Sequence, residues 1–386
     1  MSMEALGFFV AVVIKAVIFS VALLTGFAYM TWGERRIVAR MQWRVGPNKV
    51  GPWGLLQPAA DGIKLLFKEQ LQPKEAKTFL FVLAPMISLV VALSAYAVIP
   101  IDKDPLTVYG YTIEPWVSDP SIGVLYLLGI SSLGVYGIIL GGWASNNKYA
   151  LLGAIRSSAQ VISYELALGT ALVSPLMMVG SLSFRDVINQ QIDGSYLHGD
   201  GGWLILAQPV AFFLYWTAAV AEVNRAPFDL PEAEQELGAG YHTEYSGMKF
   251  AMFFMAEYVN MFTVSSVATT VFLGGPGGLP VDPSGSVFNR LLAYGPHWFL
   301  LKVYFFMFVF IWLRATFPRF RFDQLMRIGW QFLLPLGLIN LGVTALGVAL
   351  RWKSYQFTLA IASMMVTLIA LSMLNRKPQH QDAHHH

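Results

Sequence analysis

The stretch TFLFVLAPMISLVVALSAYAVI at residues 78–99 decides the fold, because it is long, apolar and free of charged side chains. As an α-helix it would be about 33 Å long at 1.5 Å per residue. That length is enough to cross the roughly 30 Å hydrocarbon core of a bilayer. Backbone polar groups cannot stay unpaired in lipid, so this stretch is predicted to be a membrane-spanning helix.

Similar stretches recur on both sides of it, and together they predict an all-α polytopic membrane protein with about nine transmembrane helices. The predicted spans are 5–31, 78–99, 121–145, 160–181, 204–223, 248–274, 297–315, 330–350 and 356–374. We interpret residues 1–376 as a single transmembrane domain and 377–386 as a polar tail. The three histidines that end the tail are typical of an expression tag.

The composition supports the same class and excludes others. Apolar residues make up 55% of the chain and charged residues 13%, against about 25% charged residues in soluble proteins. A net charge of +3 is too small and too dispersed for nucleic-acid binding. The chain has no cysteine, so it lacks the thiolates that hold most iron–sulfur clusters, and no metal-ligand spacing such as HExxH occurs.

The distribution of lysine and arginine predicts the orientation in the membrane. Loops 1, 3, 5 and 7 and the C-terminal tail carry 18 basic residues, with Arg314 counted in loop 7, and the even-numbered loops carry 5. Basic residues concentrate in cytoplasmic loops. We therefore expect the N-terminus outside and the C-terminus in the cytoplasm.

Loop 1, residues 32–77, contains a predicted amphipathic helix at Gly54–Glu69. The polar face consists of Gln57, Asp61, Lys64 and Lys68, and the apolar face of Leu56, Ala59, Ala60, Ile63, Leu66 and Phe67. A helix with this pattern lies along the membrane surface and does not cross it. The alternative is a linker that only rests on the membrane.

Loop 5, between Asn224 and Gly247, is acidic and long, and Arg225 is its one basic residue. Its acids are Asp229, Glu232, Glu234, Glu236 and Glu244. Like charges this close repel, so loop 1 arginines, basic partner subunits or bound protons are expected to offset them. The alternative is a solvated acidic loop.

Three glutamates are predicted to lie within spans, in the inner half of the bilayer: Glu165, Glu222 and Glu257. An ionisable group in hydrocarbon costs several kcal/mol and is a functional candidate by default. Together they predict a proton relay, which the neighbouring Tyr164 and Tyr258 could extend. The alternative is that each glutamate pins helix packing through hydrogen bonds. Two lysines in spans, Lys15 and Lys302, are candidate counter-charges.

Several motifs carry a resemblance to a known family. They are Glu34-Arg35-Arg36, Arg44-Val45-Gly46-Pro47-Asn48, Gly54 through Glu69, Ser163-Tyr164-Glu165, Ala221 through Arg225, Pro227-Phe228-Asp229-Leu230-Pro231 through Leu237, Met255-Ala256-Glu257-Tyr258 and Phe317 through Leu325. From about Gly33 to Trp330, the chain resembles the H subunit of bacterial NADH:quinone oxidoreductase, the equivalent of mitochondrial subunit 1 of respiratory complex I. That family usually has eight spans, whereas nine are predicted here.

The resemblance implies a multi-pass subunit of a proton-translocating enzyme complex in the bacterial inner membrane. Quinone would be the substrate, and FMN and iron–sulfur clusters would be bound by partner subunits, with no cofactor on this chain and no catalysis by the chain alone. The implied partners are membrane lipid, the iron–sulfur and quinone-site subunits of the hydrophilic arm, and the small membrane-arm subunits that lead to antiporter-like subunits.

The resemblance also implies roles for particular residues. The proton path would contain Glu165, Glu222 and Glu257. The acidic coupling loop would contain Asp229, Glu232, Glu234 and Glu236. The quinone tunnel would be lined by Arg35, Arg44, Asp61, Lys64 and Phe228, and its charged junction would include Arg314 and Arg319.

Two other functions fit part of the pattern. One is the ion-translocating subunit of a related membrane-bound hydrogenase, although loop 1 and the 227–237 motif fit the quinone form better. The other is a stand-alone ion transporter, although the inverted internal repeat that many transporters carry is not evident. A transporter should be active when purified alone, whereas a subunit should copurify with many partners.

Overall fold

The computed structural model describes residues 3–108, 111–193, 202–229, 240–278, 292–350 and 360–368. The first half of the chain forms α1 (Met3–Met41), α2 (Gln57–Phe67), α3 (Thr78–Tyr96), α4 (Gly123–Ala144), α5 (Lys148–Val179) and α6 (Phe184–Ile192). The second half forms α7 (Leu204–Ala207), α8 (Pro209–Glu222), α9 (Gly247–Phe272), α10 (Pro296–Thr316), α11 (Phe322–Arg327) and α12 (Leu334–Ala349). A π-helical turn, Ile328–Leu333, joins α11 to α12.

Seven helical segments are long and apolar enough to cross a membrane: Val10–Met41, Thr78–Tyr96, Gly123–Ala144, Lys148–Val179, Gly247–Phe272, Pro296–Thr316 and Phe322–Ala349. A shorter apolar helix, Pro209–Glu222, lies between the fourth and fifth of them. The predicted all-α, multi-pass membrane class is therefore confirmed. The ninth predicted span, 356–374, is described only over residues 360–368, which are helical.

Two helices extend well beyond their predicted spans. Helix α1 continues to Met41 instead of ending near residue 31, and α5 begins at Lys148 instead of near residue 160. Charged residues at these ends interrupt the apolar pattern, but the backbone remains helical. As a result, Glu34 and Arg35 lie on a helix and not in a loop.

One element of the fold is not helical and is not predicted from the sequence. Strands β1 (Leu106–Val108) and β2 (Tyr111–Ile113) form an antiparallel hairpin in the loop between α3 and α4. Each strand has only three residues, too few to give a period-two signal in the sequence.

Helix α5 is the centre of the packed core, where it contacts α4, α8 and α12. Its Tyr164 and Leu172 are completely buried, as is Phe272 on α9, and Tyr215 on α8 is 1% exposed. Helices α3 and α4 approach each other closely at Gly137. A Cβ atom there would lie 2.1 Å from Ser88 Oγ, so only glycine fits.

Helix α2 confirms the predicted amphipathic surface helix, although it is shorter than Gly54–Glu69. None of its residues is buried. Ile63 is 57% exposed, Leu66 61% and Phe67 86%. A helix with such an exposed apolar face is typical of helices that lie at a membrane interface.

Candidate functional site

A largely buried ion-pair network, which we call the Arg225 network, joins four parts of the chain. Arg225 lies in the turn after α8 and is 4% exposed. Its Nε lies 2.9 Å from Oε1 of Glu257 on α9, and its Nη1 lies 3.6 Å from Oε1 of Glu34 on α1. Arg314, in the last turn of α10, also pairs with Glu34. The network thus ties α1, α9 and α10 to the start of loop 5.

Tyr258 completes the network. Its hydroxyl donates a 2.6 Å hydrogen bond to Glu34 Oε2, and its ring lies 4.2 Å beneath the Arg225 guanidinium. Burial by itself lowers the pKa of Arg225, but the carboxylates of Glu257 and Glu34 raise it above the usual value. Arg225 is therefore a permanent cation between two carboxylates.

A cavity of about 90 Å³ lies beside this network, between α3, α4, α5, α8 and α9. Its polar lining includes Glu222, Asp229, His242, Glu257 and Asn260. The rest of its lining is mostly apolar, but a cavity of this size has room for several water molecules beside its polar groups. Two predicted proton-path residues, Glu222 and Glu257, therefore share one cavity with the coupling-loop residue Asp229.

The other proton-path residue, Glu165, accepts a hydrogen bond from the Ser132 hydroxyl of α4. The carboxyl groups of Glu165 and Glu222 are close enough to interact electrostatically. The buried Oε2 atom of Glu222 has no hydrogen-bond partner within the described part of the chain. An unpartnered carboxylate oxygen at a cavity wall is a natural contact for water.

The start of loop 5 is fixed in place and is not a floppy segment. Asp229 is 4% exposed and pairs with Arg319, whose Nη2 lies 3.1 Å from Asp229 Oδ2. Gln160 Nε2 donates a 2.8 Å hydrogen bond to the Phe228 carbonyl. The ring of Phe228, a predicted tunnel residue, is buried between Tyr164 and Phe320. Glu232, Glu234 and Glu236 lie outside the described residues.

The remaining predicted tunnel residues form one pair and two separate side chains. Arg35 Nη1 lies 2.7 Å from Asp61 Oδ2, which ties the end of α1 to α2. Gln57 donates a 3.1 Å hydrogen bond to the other oxygen of Asp61. Lys64 is exposed. Arg44 is also exposed and donates to the side-chain oxygen of Gln42.

Three members of the site, Arg225, Glu34 and His242, are absent from the predicted set of functional residues. Arg225 belongs to one of the motifs, but the sequence marks it only as the one basic residue of loop 5. The predicted end of the first span places Glu34 in a loop, although it belongs to one of the motifs. His242 gives no signal of metal-ligand spacing, yet it is 4% exposed, lines the cavity and has an Nδ1 atom without a hydrogen-bond partner among the described residues. Burial lowers the pKa of His242 to about 3, so it is neutral at physiological pH.

The two candidate counter-charges have different partners. Lys15 pairs with Glu114 in the loop between α3 and α4, at 2.8 Å. Lys302 donates to the carbonyl oxygens of Leu273, Gly275 and Gly277 beyond the end of α9. Lys302 therefore caps a helix end. Among the described residues, no cluster of three or more histidines and acids could hold a metal ion.

Comparison with known proteins gives consistent results. Residues 14–345 match the family described as NADH dehydrogenase. The H subunit of NADH-quinone oxidoreductase from Thermomicrobium roseum is 54% identical over 327 residues, covering 84% of this chain and 92% of that protein. Subunit 8 of the same oxidoreductase from Thermus thermophilus is 51% identical over 361 residues, 93% of each chain. The H 1 subunit from Geobacter sulfurreducens is 49% identical over 354 residues, 89% of this chain and 97% of that protein.

Proposed function

The chain belongs to the NADH dehydrogenase family, as an H-type subunit of NADH-quinone oxidoreductase, and we propose that it couples quinone reduction to proton translocation. It is a multi-pass membrane subunit of a multi-subunit complex. Electrons would reach the quinone from FMN and iron–sulfur clusters on hydrophilic-arm partners, because this chain has no cysteine. Small membrane-arm subunits would carry the signal towards antiporter-like subunits.

The quinone tunnel, in this proposal, begins where α1 meets α2. A quinone reaches its site from the bilayer, and the apolar side chains of α2, which are exposed, would face that environment. The polar quinone head requires hydrogen-bond partners at the end of an apolar path. Arg35 and Asp61 supply a donor and an acceptor there, and both are partly exposed.

The observation that carries the coupling proposal is the adjacency of Glu34 and Arg35 on α1. Arg35 pairs with Asp61 at the proposed tunnel, whereas Glu34 belongs to the Arg225 network. A change of charge on a quinone beside Asp61 would therefore act on the network over a short distance. Coulomb interactions over such distances in a partly buried site amount to a few kcal/mol.

The proton path, in this proposal, uses the cavity beside the network. Glu257 is held by Arg225 at one wall, and at another Glu222 has an oxygen without a hydrogen-bond partner among the described residues. Waters between them would let a proton move to Glu222 and on towards Glu165. A shift of Arg225 towards Glu34 would release Glu257 and so alter the affinity of the cavity for a proton.

The test compares glutamine and aspartate at position 222 in the whole complex. Glutamine keeps the shape of glutamate but cannot titrate, so Glu222→Gln should lower the NADH-to-quinone rate at least about tenfold and abolish the proton gradient. Glu222→Asp should retain part of both. Electron transfer from NADH to a soluble artificial acceptor should remain normal, which would show that the complex has assembled.

Glu114→Gln is the matched control, because Glu114 is an exposed acid in the loop between α3 and α4. It should behave like the wild type in all three assays. A Glu222→Gln complex that builds a full gradient at the normal rate would refute the proton path and leave a packing role for Glu222.

A further inference from the structure

A basic and aromatic groove lies at the end of α1, apart from the Arg225 network and the cavity. We call it the Trp53 groove. It has a volume of about 610 Å³ and is lined by Trp32, Gly33, Arg36, Ile37, Arg40 and Trp53. Arg36 and Arg40 are one helical turn apart, so their side chains project from the same face of α1.

The two arginines form a positive patch that no acid neutralises in the described part of the chain. No ion pair between described residues includes either of them. The nearest acid in sequence is already engaged, since Glu34 pairs with Arg225 and Arg314. A guanidinium carries five N–H donors, and the described hydrogen bonds of Arg36 use Nη1 alone. The groove therefore has charge and donors left for an anion.

Trp53 is held in an unusual conformation at the rim of the groove. Its φ of 54° is in the left-handed region, which is unfavourable for a bulky residue and is characteristic of functional sites. Its carbonyl accepts hydrogen bonds from Arg36 Nη1 at 2.6 Å and from Trp32 Nε1 at 3.2 Å. These two donors fix the backbone so that the ring, 73% exposed, faces outward.

The position of the groove indicates the source of the anion. It lies at the end of a membrane-spanning helix, next to the surface helix α2. Exposed tryptophan rings favour the boundary between hydrocarbon and headgroups, and basic pockets at that depth bind anionic lipid headgroups. A neutral quinone does not require two arginines that have no counter-ion among the described residues.

We propose that the Trp53 groove binds one anionic phospholipid, with Arg36 and Arg40 contacting its phosphate and the Trp53 ring lying against its glycerol region. This inference does not depend on the proposed proton path or on the quinone tunnel. It assigns a lipid-binding site to residues that have no part in either.

The test measures how much phosphatidylglycerol stays bound to the purified complex, by native mass spectrometry, after reconstitution in vesicles of phosphatidylcholine and phosphatidylglycerol. Each arginine near an anionic lipid contributes about fivefold in affinity. Arg36→Gln/Arg40→Gln should therefore weaken retention roughly 30-fold. Lys74→Gln/Lys77→Gln removes two exposed charges from the same loop and should leave retention unchanged.

Two further variants separate lipid binding from folding. Arg40→Gln alone removes a side chain without described contacts and should weaken retention about fivefold. Arg36→Lys/Arg40→Lys keeps both charges and should restore most of the binding. Equal retention in wild-type and glutamine variants would overturn the proposal.

Other occupants predict different results. Release of the lipid by millimolar inorganic phosphate would mean that the groove takes a free anion, and the lipid assignment would fail. Loss of a partner subunit from the glutamine variant, with normal lipid retention, would mean that a protein covers the groove, and the proposal would fail in that case also.

Discussion

At the residue scale, Arg225 is the cation on which the buried carboxylate of Glu34 and the partly buried carboxylate of Glu257 depend. Arg225→Leu leaves Glu34 and Glu257 with Arg314 as the remaining cation of the network. Breaking a buried pair in this way costs about 3–5 kcal/mol, so we expect a lower yield of assembled complex and a lower thermal denaturation midpoint. Removing one carboxylate as well, in Arg225→Leu/Glu257→Leu, should recover part of that loss.

Arg185→Leu is the control for this prediction. Arg185 pairs with Asp119 at 3.6 Å and also lies over a tryptophan ring, but its side chain is 38% exposed. An exposed pair of this kind contributes at most about 1 kcal/mol. The charge argument fails if the double variant at Arg225 and Glu257 is no more stable than the single one.

His242 gives a prediction about pH. Its pKa in the folded protein is about 3, against about 6.5 in an unfolded chain. Only the unfolded chain binds a proton between these values, so stability falls as the pH falls below about 6.5. At pH 5.5 the loss is about 1.4 kcal/mol.

His242→Phe should remove this loss, because a phenyl ring does not titrate and would take the place of the imidazole among Tyr241, Phe250 and Phe253. The measurement is the change in unfolding free energy between pH 7.5 and 5.5, and His297→Phe, at an exposed position, should follow the wild type. An unchanged acid sensitivity in His242→Phe would show that another group titrates.

Some of these site residues can be predicted from the sequence and others cannot, for physical reasons. Glu165, Glu222 and Glu257 stand out because each interrupts an apolar stretch. Glu34 does not, since it lies among arginines at the end of α1, where the hydropathy pattern predicts a loop. Asp229 is predicted from its motif, but its pairing with Arg319, some ninety residues away, depends on tertiary packing that no local pattern encodes.

At the scale of the element, α2 makes the tunnel proposal testable. Asp61→Leu removes the acceptor that faces Arg35. The pair is partly exposed, with side chains 56% and 26% accessible, so its loss should cost less than about 1 kcal/mol of stability. We expect slower turnover with short-tail quinones and an altered sensitivity to quinone-site inhibitors in a fully assembled complex.

Glu69→Leu, two residues beyond α2, makes the same change of charge at an exposed position and should leave both properties unchanged. An inhibitor profile identical to the wild type in Asp61→Leu would move the tunnel wall away from α2.

The presence of the membrane-spanning helices can be predicted from the sequence far better than the residues at which they begin and end. An apolar stretch identifies the part of a helix that crosses hydrocarbon, which is why the cores of α3, α4 and α9 agree closely with their spans. Helices α1 and α5 continue through charged residues that hydropathy excludes, because helical hydrogen bonding does not require lipid. Because α1 continues that far, its neighbouring residues Glu34 and Arg35 can pair with different partners, Glu34 within the Arg225 network and Arg35 with Asp61.

At the scale of the whole molecule, contacts among the odd-numbered loops gather on one face. Loop 5 is held to loop 3 by the 2.8 Å hydrogen bond from Asn147 to Glu244, and to loop 7 by the pair of Asp229 and Arg319. Loops 2 and 4 are joined on the opposite face, where Lys103 lies 2.6 Å from Asp193. The contacts that hold loop 5 in place therefore lie on one face of the molecule.

The charges of the loops predict how that face is oriented in the membrane. The excess of basic residues in the odd-numbered loops predicts that they face the cytoplasm, with the N-terminus outside and, if residues 356–374 span the membrane, the C-terminus inside. The chain has no cysteine, so a single introduced cysteine is the one position of this chain that a thiol reagent can label. A membrane-impermeant thiol reagent, added to intact cells, should label Ser121→Cys. It should not label Lys148→Cys or a cysteine placed after His386. Labelling of Lys148→Cys would show that the orientation is the opposite of the predicted one. Labelling of the C-terminal cysteine alone would show that residues 356–374 do not cross the membrane.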